Sequence, residues 1–271
     1  MTISLGFSPC PNDTFIFEAL VQKSIDTGGL DFDIRMEDVE TLNHWALEQQ
    51  LQVTKFSYGV LDSIRNHYRV LNTGSALGTG VGPLLVAHPD LQHRAPQLQR
   101  IALPGLNTTA HYLFQRAYPE AQDKVFLRYD AIEDFALEKK GLGVIIHENR
   151  FTYAEKGLVK LADLGALWEQ STALPVPLGG IAVRRDVEPG LAKQLERLIA
   201  ESIRHARSRL NPITPYIAAH AQEMSESVML QHIDLYVNEY SLDLGDKGKS
   251  AVLEMLSIHQ QASMELKDLF L

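Results

Sequence analysis

Cysteine is almost missing from this 271-residue chain. The single thiol, Cys10, excludes an intrachain disulfide and with it the small, stapled, secreted scaffolds. No apolar run approaches the ~18 residues needed to cross a bilayer, so no transmembrane helix is expected. Positive charge is also sparse. Lys and Arg number 25 against 34 Asp and Glu, a net charge of -9, and no basic block exceeds pairs such as Lys139-Lys140 and Arg184-Arg185. A field of that sign repels phosphate backbones and anionic membranes, so neither nucleic acid nor a membrane is expected as a partner. An anionic ligand must be held by local donors. The opening MTISLGFSPCPND has no basic leader segment and no long apolar stretch, which predicts no secretory signal and a cytoplasmic location.

Several motifs are missing too. There is no HExxH, no CxxC and no EF-hand loop, so no metal is expected. No P-loop pattern occurs. Gly78, Gly80 and Gly82 of GSALGTGVG enter a strand-like run rather than a helix, the wrong context for a dinucleotide fingerprint. No G-x-S-x-G elbow supports a Ser-His-Asp triad. Cys10, between Pro9 and Pro11, stands near a helix start but has no local Cys-His signature, and it reads as part of a structural turn. No cofactor is implied, and no pattern speaks to oligomeric state.

What is present is ordinary globular material, 45% hydrophobic and 22% charged, arranged as short apolar runs alternating with helical patterns. That alternation predicts an α/β protein with largely parallel sheets. Strands are expected at residues 3–7, 32–36, 53–57, 84–87, 101–103, 125–127, 144–146 and 181–183. A helix is expected from Thr14, capped by Asp13 or Asn12, and others at 58–68, 108–118 and 132–140. Leu191, Leu195, Leu198, Ile199, Ile203 and Ala206 form an apolar stripe on a C-terminal helix. The polar, proline-containing HPDLQHRAPQLQ and the segment LPVPLGG read as crossing points near 90 and 176. The expected organisation is a discontinuous lobe of residues 1–90 and 176–271 and a second lobe of residues 91–175. Each is a mostly parallel sheet flanked by helices, with a ligand cleft between the lobes.

In parallel α/β sheets ligands bind beyond the carboxyl ends of strands. Three places qualify. Lys55 and Ser57 share one face of their strand and offer a charge and a hydroxyl, although an edge lysine that blunts a sheet is the plainer reading. Thr108, Thr109 and Ala110 open a helix whose first N–H groups suit a carboxylate or phosphate, although a Thr N-cap worth about 1 kcal/mol explains the same residues. His147 stands where the apolar run of GLGVIIHENRFTY stops. An imidazole with an unperturbed pKa of about 6.5 takes and returns protons near neutrality, although nine other histidines show that most are bland.

The segments GFSPCPNDTFIFEAL, EDVETLNHWAL, TKFSYG, GSALGTGVGPL, NTTAHYLF, IIHENRFTY and LPVPLGG together resemble the 1,4-dihydroxy-6-naphthoate synthase family of the futalosine route to menaquinone, from residue 3 to about 245. The resemblance implies a type II periplasmic-binding-protein-like fold. It implies a cofactor-independent carbon–carbon lyase that converts a carboxylate substrate, cyclic dehypoxanthinylfutalosine, to 1,4-dihydroxy-6-naphthoate and dihydroxyacetone. Matched residue by residue, it makes His147 the proton acceptor, with Lys55, Phe56 and Ser57 in one substrate-binding segment and Thr109 and Ala110 in the other. Phe56 replaces an aliphatic position of the family, so contact there is expected through backbone. Chorismate dehydratase of the same pathway, and a non-catalytic solute-binding protein, are the alternative readings.

Overall fold

The computed structural model describes residues 1–222, 225–257 and 268–271. Among them, eleven strands follow in chain order: β1 (Thr2–Phe7), β2 (Asp31–Met36), β3 (Val53–Ser57), β4 (Tyr68–Val70), β5 (Ala76–Gly78), β6 (Leu84–Ala87), β7 (Ile101–Leu103), β8 (Lys124–Phe126), β9 (Leu142–Ile145), β10 (Val159–Asp163) and β11 (Val176–Arg184). The chain divides into two compact units, residues 1–78 with 177–271, and residues 79–176. Sequence pattern places the first crossing near residue 90, but in the structure it lies at Gly78–Thr79. β6 is the reason: it pairs on one side with β9 and on the other with β10, which makes it a strand of the second unit. No helix among the described residues is long and apolar enough to cross a membrane.

The first unit holds a six-stranded sheet in the order β2-β1-β3-β11-β4, with β5 on β11. β1 runs parallel to β2 and β3, whereas β11 is antiparallel to β3 and β4. The sheet is therefore mixed rather than mostly parallel, because the strand that returns from the second unit enters from the opposite end. Phe7, Phe15, Phe17, Ile181, Leu195 and Ile203 belong to one buried apolar cluster. The helix Pro189–Arg207 presents its predicted stripe to this core, and the Glu188 carboxylate caps it by accepting from Gly190 and Leu191 N–H groups. The last four residues extend the β4 edge: Val70 N–H donates to Leu269 O and Leu271 N–H to Val70 O.

The second unit holds a five-stranded sheet, β10-β6-β9-β7-β8. β7 is parallel to β8 and β9, while β6 is antiparallel to β9 and β10, so this sheet too is mixed. Helices Thr109–Ala117, Ile132–Leu137 and Leu164–Thr172 accompany it. The last begins at a close approach of two glycines. A Cβ on Gly82 would lie 2.3 Å from backbone atoms of Gly165, and one on Gly165 would lie 2.6 Å from Gly82 Cα. Gly82 thus serves chain packing, not a nucleotide.

Local expectations differ from the structure elsewhere too, most clearly in two helical segments. The first helix is Pro11–Val21, with Cys10 at its N-cap and proline in its first turn. Asp13 lies inside that turn and caps nothing. Residues 58–68 form only a 3₁₀ turn, Tyr58–Val60, and the short helix Leu61–Ile64.

Candidate active site

In the first unit, chemistry gathers at the carboxyl ends of β1 and β3. Lys55 is not an edge lysine: β3 lies between β1 and β11, and the residue is 5% exposed. Its ammonium donates to Asp13 Oδ1 at 2.7 Å. Asp13 in turn collects Ser8 N–H at 3.1 Å and Ser8 Oγ at 2.8 Å on Oδ2, and Asn12 Nδ2 at 2.8 Å on Oδ1. A buried carboxylate with three neutral donors and one cation is well compensated.

Two residues on, on the same strand face, Ser57 exchanges two bonds with Asn43. Asn43 Nδ2 donates to Ser57 Oγ at 3.0 Å, and Ser57 N–H donates to Asn43 Oδ1 at 2.8 Å. Asn43 comes from the helix Val39–Leu47, capped by Asp38 through the N–H groups of Glu40 and Thr41. Phe56 turns the other way, fully buried, and meets Tyr58 edge to face with ring centroids 5.2 Å apart. Gly179 and Gly180 of β11 pair with Ser57 and Phe56; a Cβ on Gly179 would crowd Phe56 O at 2.7 Å and Lys55 Cε at 3.3 Å. The glycine pair of LPVPLGG leaves room for these side chains.

In the second unit, pairing directions bring five chain ends to one edge of the sheet. β7, β8 and β9 are mutually parallel, so their carboxyl ends share that edge. The start of β6 joins them, since Leu84 lies opposite Ile145, and so does the end of β10, since Asp163 lies opposite Leu84. After β7 the chain turns into Thr108, which caps the helix Thr109–Ala117 by accepting from His111 N–H and donates its own hydroxyl to Gly105 O at 2.9 Å. Thr109 and Ala110 are both buried in the first turn. Half-buried His111 holds Leu106 O at 2.8 Å through Nδ1, and burial pushes its pKa down.

After β9, His147 adopts φ +56°. Among the described residues five non-glycine positions have positive φ. Lys23, Gln49, Lys139 and Ala173 each stand within two residues of a helix end, the ordinary place for a left-handed residue. His147 alone follows a strand. Such a backbone costs about 1–2 kcal/mol and persists where surrounding structure enforces it. The imidazole stands edge to face with Tyr129, just beyond β8, with centroids 5.0 Å apart. Arg150 anchors the loop, donating to Gly82 O at 2.9 Å and standing 3.8 Å from Asp163 Oδ2. Asp163 Oδ1 meanwhile caps the helix Leu164–Thr172. Glu148 is buried, and a carboxylate oxygen of it lies within 4.8 Å of a ring nitrogen of His147.

The structure thus brings Lys55 and Ser57 together with Asp13, Ser8, Asn12 and Asn43 in the first unit. In the second it brings Thr109, Ala110 and His147 to one sheet edge with Tyr129, Glu148 and Arg150. Asn43 has a visible signal in the sequence: it sits among Val39, Leu42 and Ala46, a lone amide within an apolar helical stripe.

Comparison with known proteins shows the family and the fold type. A family model described as menaquinone biosynthesis matches residues 3–261. The chain belongs to the menaquinone biosynthesis family. It is 45% identical over 256 residues to a Thermus thermophilus protein named 1,4-dihydroxy-6-naphtoate synthase, covering 94% of this chain and 93% of that one. A solved structure, protein AF1704 of Archaeoglobus fulgidus, superposes with a TM-score of 0.88 at 30% identity, over 95% of this chain and 97% of that chain. A Candida albicans protein described as having the generic periplasmic binding protein fold gives a TM-score of 0.68 at 13% identity, over 99% and 94% of the two chains. The fold is of that type, and the family resemblance read from the motifs extends along nearly the whole chain.

Proposed function

We propose that this member of the family is a cytoplasmic carbon–carbon lyase of the futalosine route. It acts without a cofactor on the carboxylate substrate cyclic dehypoxanthinylfutalosine and releases 1,4-dihydroxy-6-naphthoate and dihydroxyacetone. His147 is the general base. Removing one proton lets the carbon–carbon bond break, and the aromaticity gained by the ring supplies the driving force. The N–H groups and hydroxyl of Thr109 and Ala110 hold an anionic or carbonyl oxygen of the substrate. Lys55 and Ser57 contact a second part through their side chains, and Phe56 through its backbone, consistent with its inward ring. Asn43 and Asp13 keep that segment's polar groups in place.

The observation that carries this reading is the left-handed His147 at a strand end, on the same sheet edge as the Thr108-capped helix. A backbone penalty at that position is understandable when the imidazole must be aimed. General-base catalysis contributes about 10²–10⁴-fold. The test is naphthoate release from the cyclic substrate by wild type and by His147→Asn, chosen because asparagine tolerates left-handed backbone. The variant should lose about 10³-fold in kcat with its melting temperature unchanged. Turnover within threefold of wild type refutes the base. Dehydration of chorismate, or tight capture of the cyclic substrate without products, refutes the reaction.

A further inference from the structure

Glu148 is 8% exposed, and its Oε2 is buried with no hydrogen-bond partner among the described residues. It stands at the N-cap of the short helix Asn149–Thr152, yet its side chain caps nothing there. The nearest cation on its own segment, Arg150, is committed to Gly82 O and Asp163. Other buried carboxylates are answered by a cation. Asp13 has Lys55 and three further donors, and Glu18 has Arg209. Glu133 leaves Oε1 unpaired but holds Lys156 through Oε2. A carboxylate oxygen withdrawn from water without a donor is destabilising, and such a group calls for an explanation. Its position supplies one, since the Glu148 carboxylate lies within 4.8 Å of a His147 ring nitrogen.

We propose that Glu148 is a substrate-binding residue whose Oε2 accepts a hydrogen bond from a hydroxyl of the polyol part of the substrate, the part released as dihydroxyacetone. The inference rests on the reading of His147 as the base in that reaction. An ionised carboxylate only accepts, so its complement is a donor, and hydroxyls are the donors that the polyol part offers. A hydroxyl held there would fix the departing fragment beside the group that takes the proton, an orientation effect. The cost of an unanswered carboxylate oxygen in the ligand-free protein is then tolerated for function.

The test compares Glu148→Met, which removes both acceptors, and Glu148→Gln, which keeps one oxygen. With the cyclic substrate, Glu148→Met should lower kcat/KM about 10²-fold and Glu148→Gln about tenfold. Product inhibition locates the contact. Inhibition by dihydroxyacetone should weaken at least about tenfold in Glu148→Met, the order expected for one lost charged hydrogen bond, while inhibition by naphthoate stays as in wild type. Stability separates this role from a structural one: the melting temperature of Glu148→Met should hold or rise by about 2 °C, because a buried acceptor oxygen without a donor is gone. A fall in melting temperature, equal weakening of both inhibitors, or unchanged kcat/KM overturns the proposal. Normal turnover by Glu148→Met with loss in His147→Asn removes this inference alone, and an inactive wild type removes the reaction along with it.

Discussion

Lys55→Met isolates the buried ion pair at the heart of the first unit. The ammonium and the Asp13 carboxylate are 2.7 Å apart, with side chains 6% and 1% exposed. At an effective dielectric of 20 their gross attraction is about 6 kcal/mol, but desolvation offsets much of it. Removing one partner of a buried pair leaves the other uncompensated, which typically costs about 3–5 kcal/mol. The two partners are not equivalent. Asp13 keeps Ser8 N–H, Ser8 Oγ and Asn12 Nδ2 when Lys55 is gone, so Lys55→Met should fall near the low end, about 3 kcal/mol. Among the described residues, the Lys55 ammonium has Asp13 as its one hydrogen-bond partner, so Asp13→Ala should fall near the high end, about 5 kcal/mol. The double variant should cost less than the sum, because the second change removes a charge that the first left stranded.

Two tryptophans make the measurement specific. Trp45 reports on the first unit and Trp168 on the second. In a Trp168→Phe background, urea unfolding followed by Trp45 fluorescence reads the first unit alone. With a slope of about 2 kcal/mol/M, Lys55→Met should move the midpoint down by about 1.5 M. A shift below about 0.5 M, or an Asp13→Ala variant no worse than Lys55→Met, refutes this unequal division of donors between the two partners.

Gly82→Ala should destabilise the second unit by about 3 kcal/mol, read by Trp168 fluorescence in a Trp45→Phe background, because its Cβ would meet Gly165 backbone at 2.3 Å; a loss under 1 kcal/mol would show that the contact yields easily. His111 supplies a pH dependence. Burial lowers its folded-state pKa, so the unfolded ring binds a proton first as pH falls through about 6.5, and stability present above that value is lost below it. Between pH 7.5 and 5.5 the wild type should therefore lose more melting temperature than His111→Gln, and parallel losses would contradict the assignment.

Strands are legible in the sequence where apolar runs are continuous, and the chemistry is legible where strands end. Leu142–Ile145 and Ile101–Leu103 are entirely buried; the second reads plainly from pattern, and the first in its second half, Val144 and Ile145. Val159–Asp163 does not, because it is the half-exposed outer strand of its sheet and alternates too weakly to stand out. The boundary near residue 90 is misplaced for a related reason. Turn chemistry at HPDLQHRAPQLQ is strong, but pairing partners decide which unit a strand joins, and β6 finds its partners about 60 and 75 positions further on. The partner of Lys55 lies 42 positions away, a separation at which neither residue predicts the other. The left-handed backbone of His147 has no signal in the sequence, because histidine, although enriched there over most residues, adopts it in only a minority of cases.

Hydrogen-bond satisfaction separates the internally bonded substrate-contacting segment of β3 from the loop that carries His147 in a way that sequence does not. Asp13, Lys55, Asn43 and Ser57 are all buried and all bonded to one another or to close neighbours, so their polarity is answered within the fold. Such a closed set gives geometry: it fixes where strand β3 ends and which face its polar groups present. His147 and Glu148 differ from it in kind. One is held in a left-handed backbone conformation uncommon for any residue with a side chain, and the other has, among the described residues, a carboxylate oxygen buried without a donor. Both costs fall on consecutive residues of one loop, and Arg150 fastens that loop to Gly82. Two independent penalties on adjacent residues are hard to attribute to packing, which would relax either by an ordinary substitution. They follow directly if the loop is shaped for a bound molecule that supplies the missing donor.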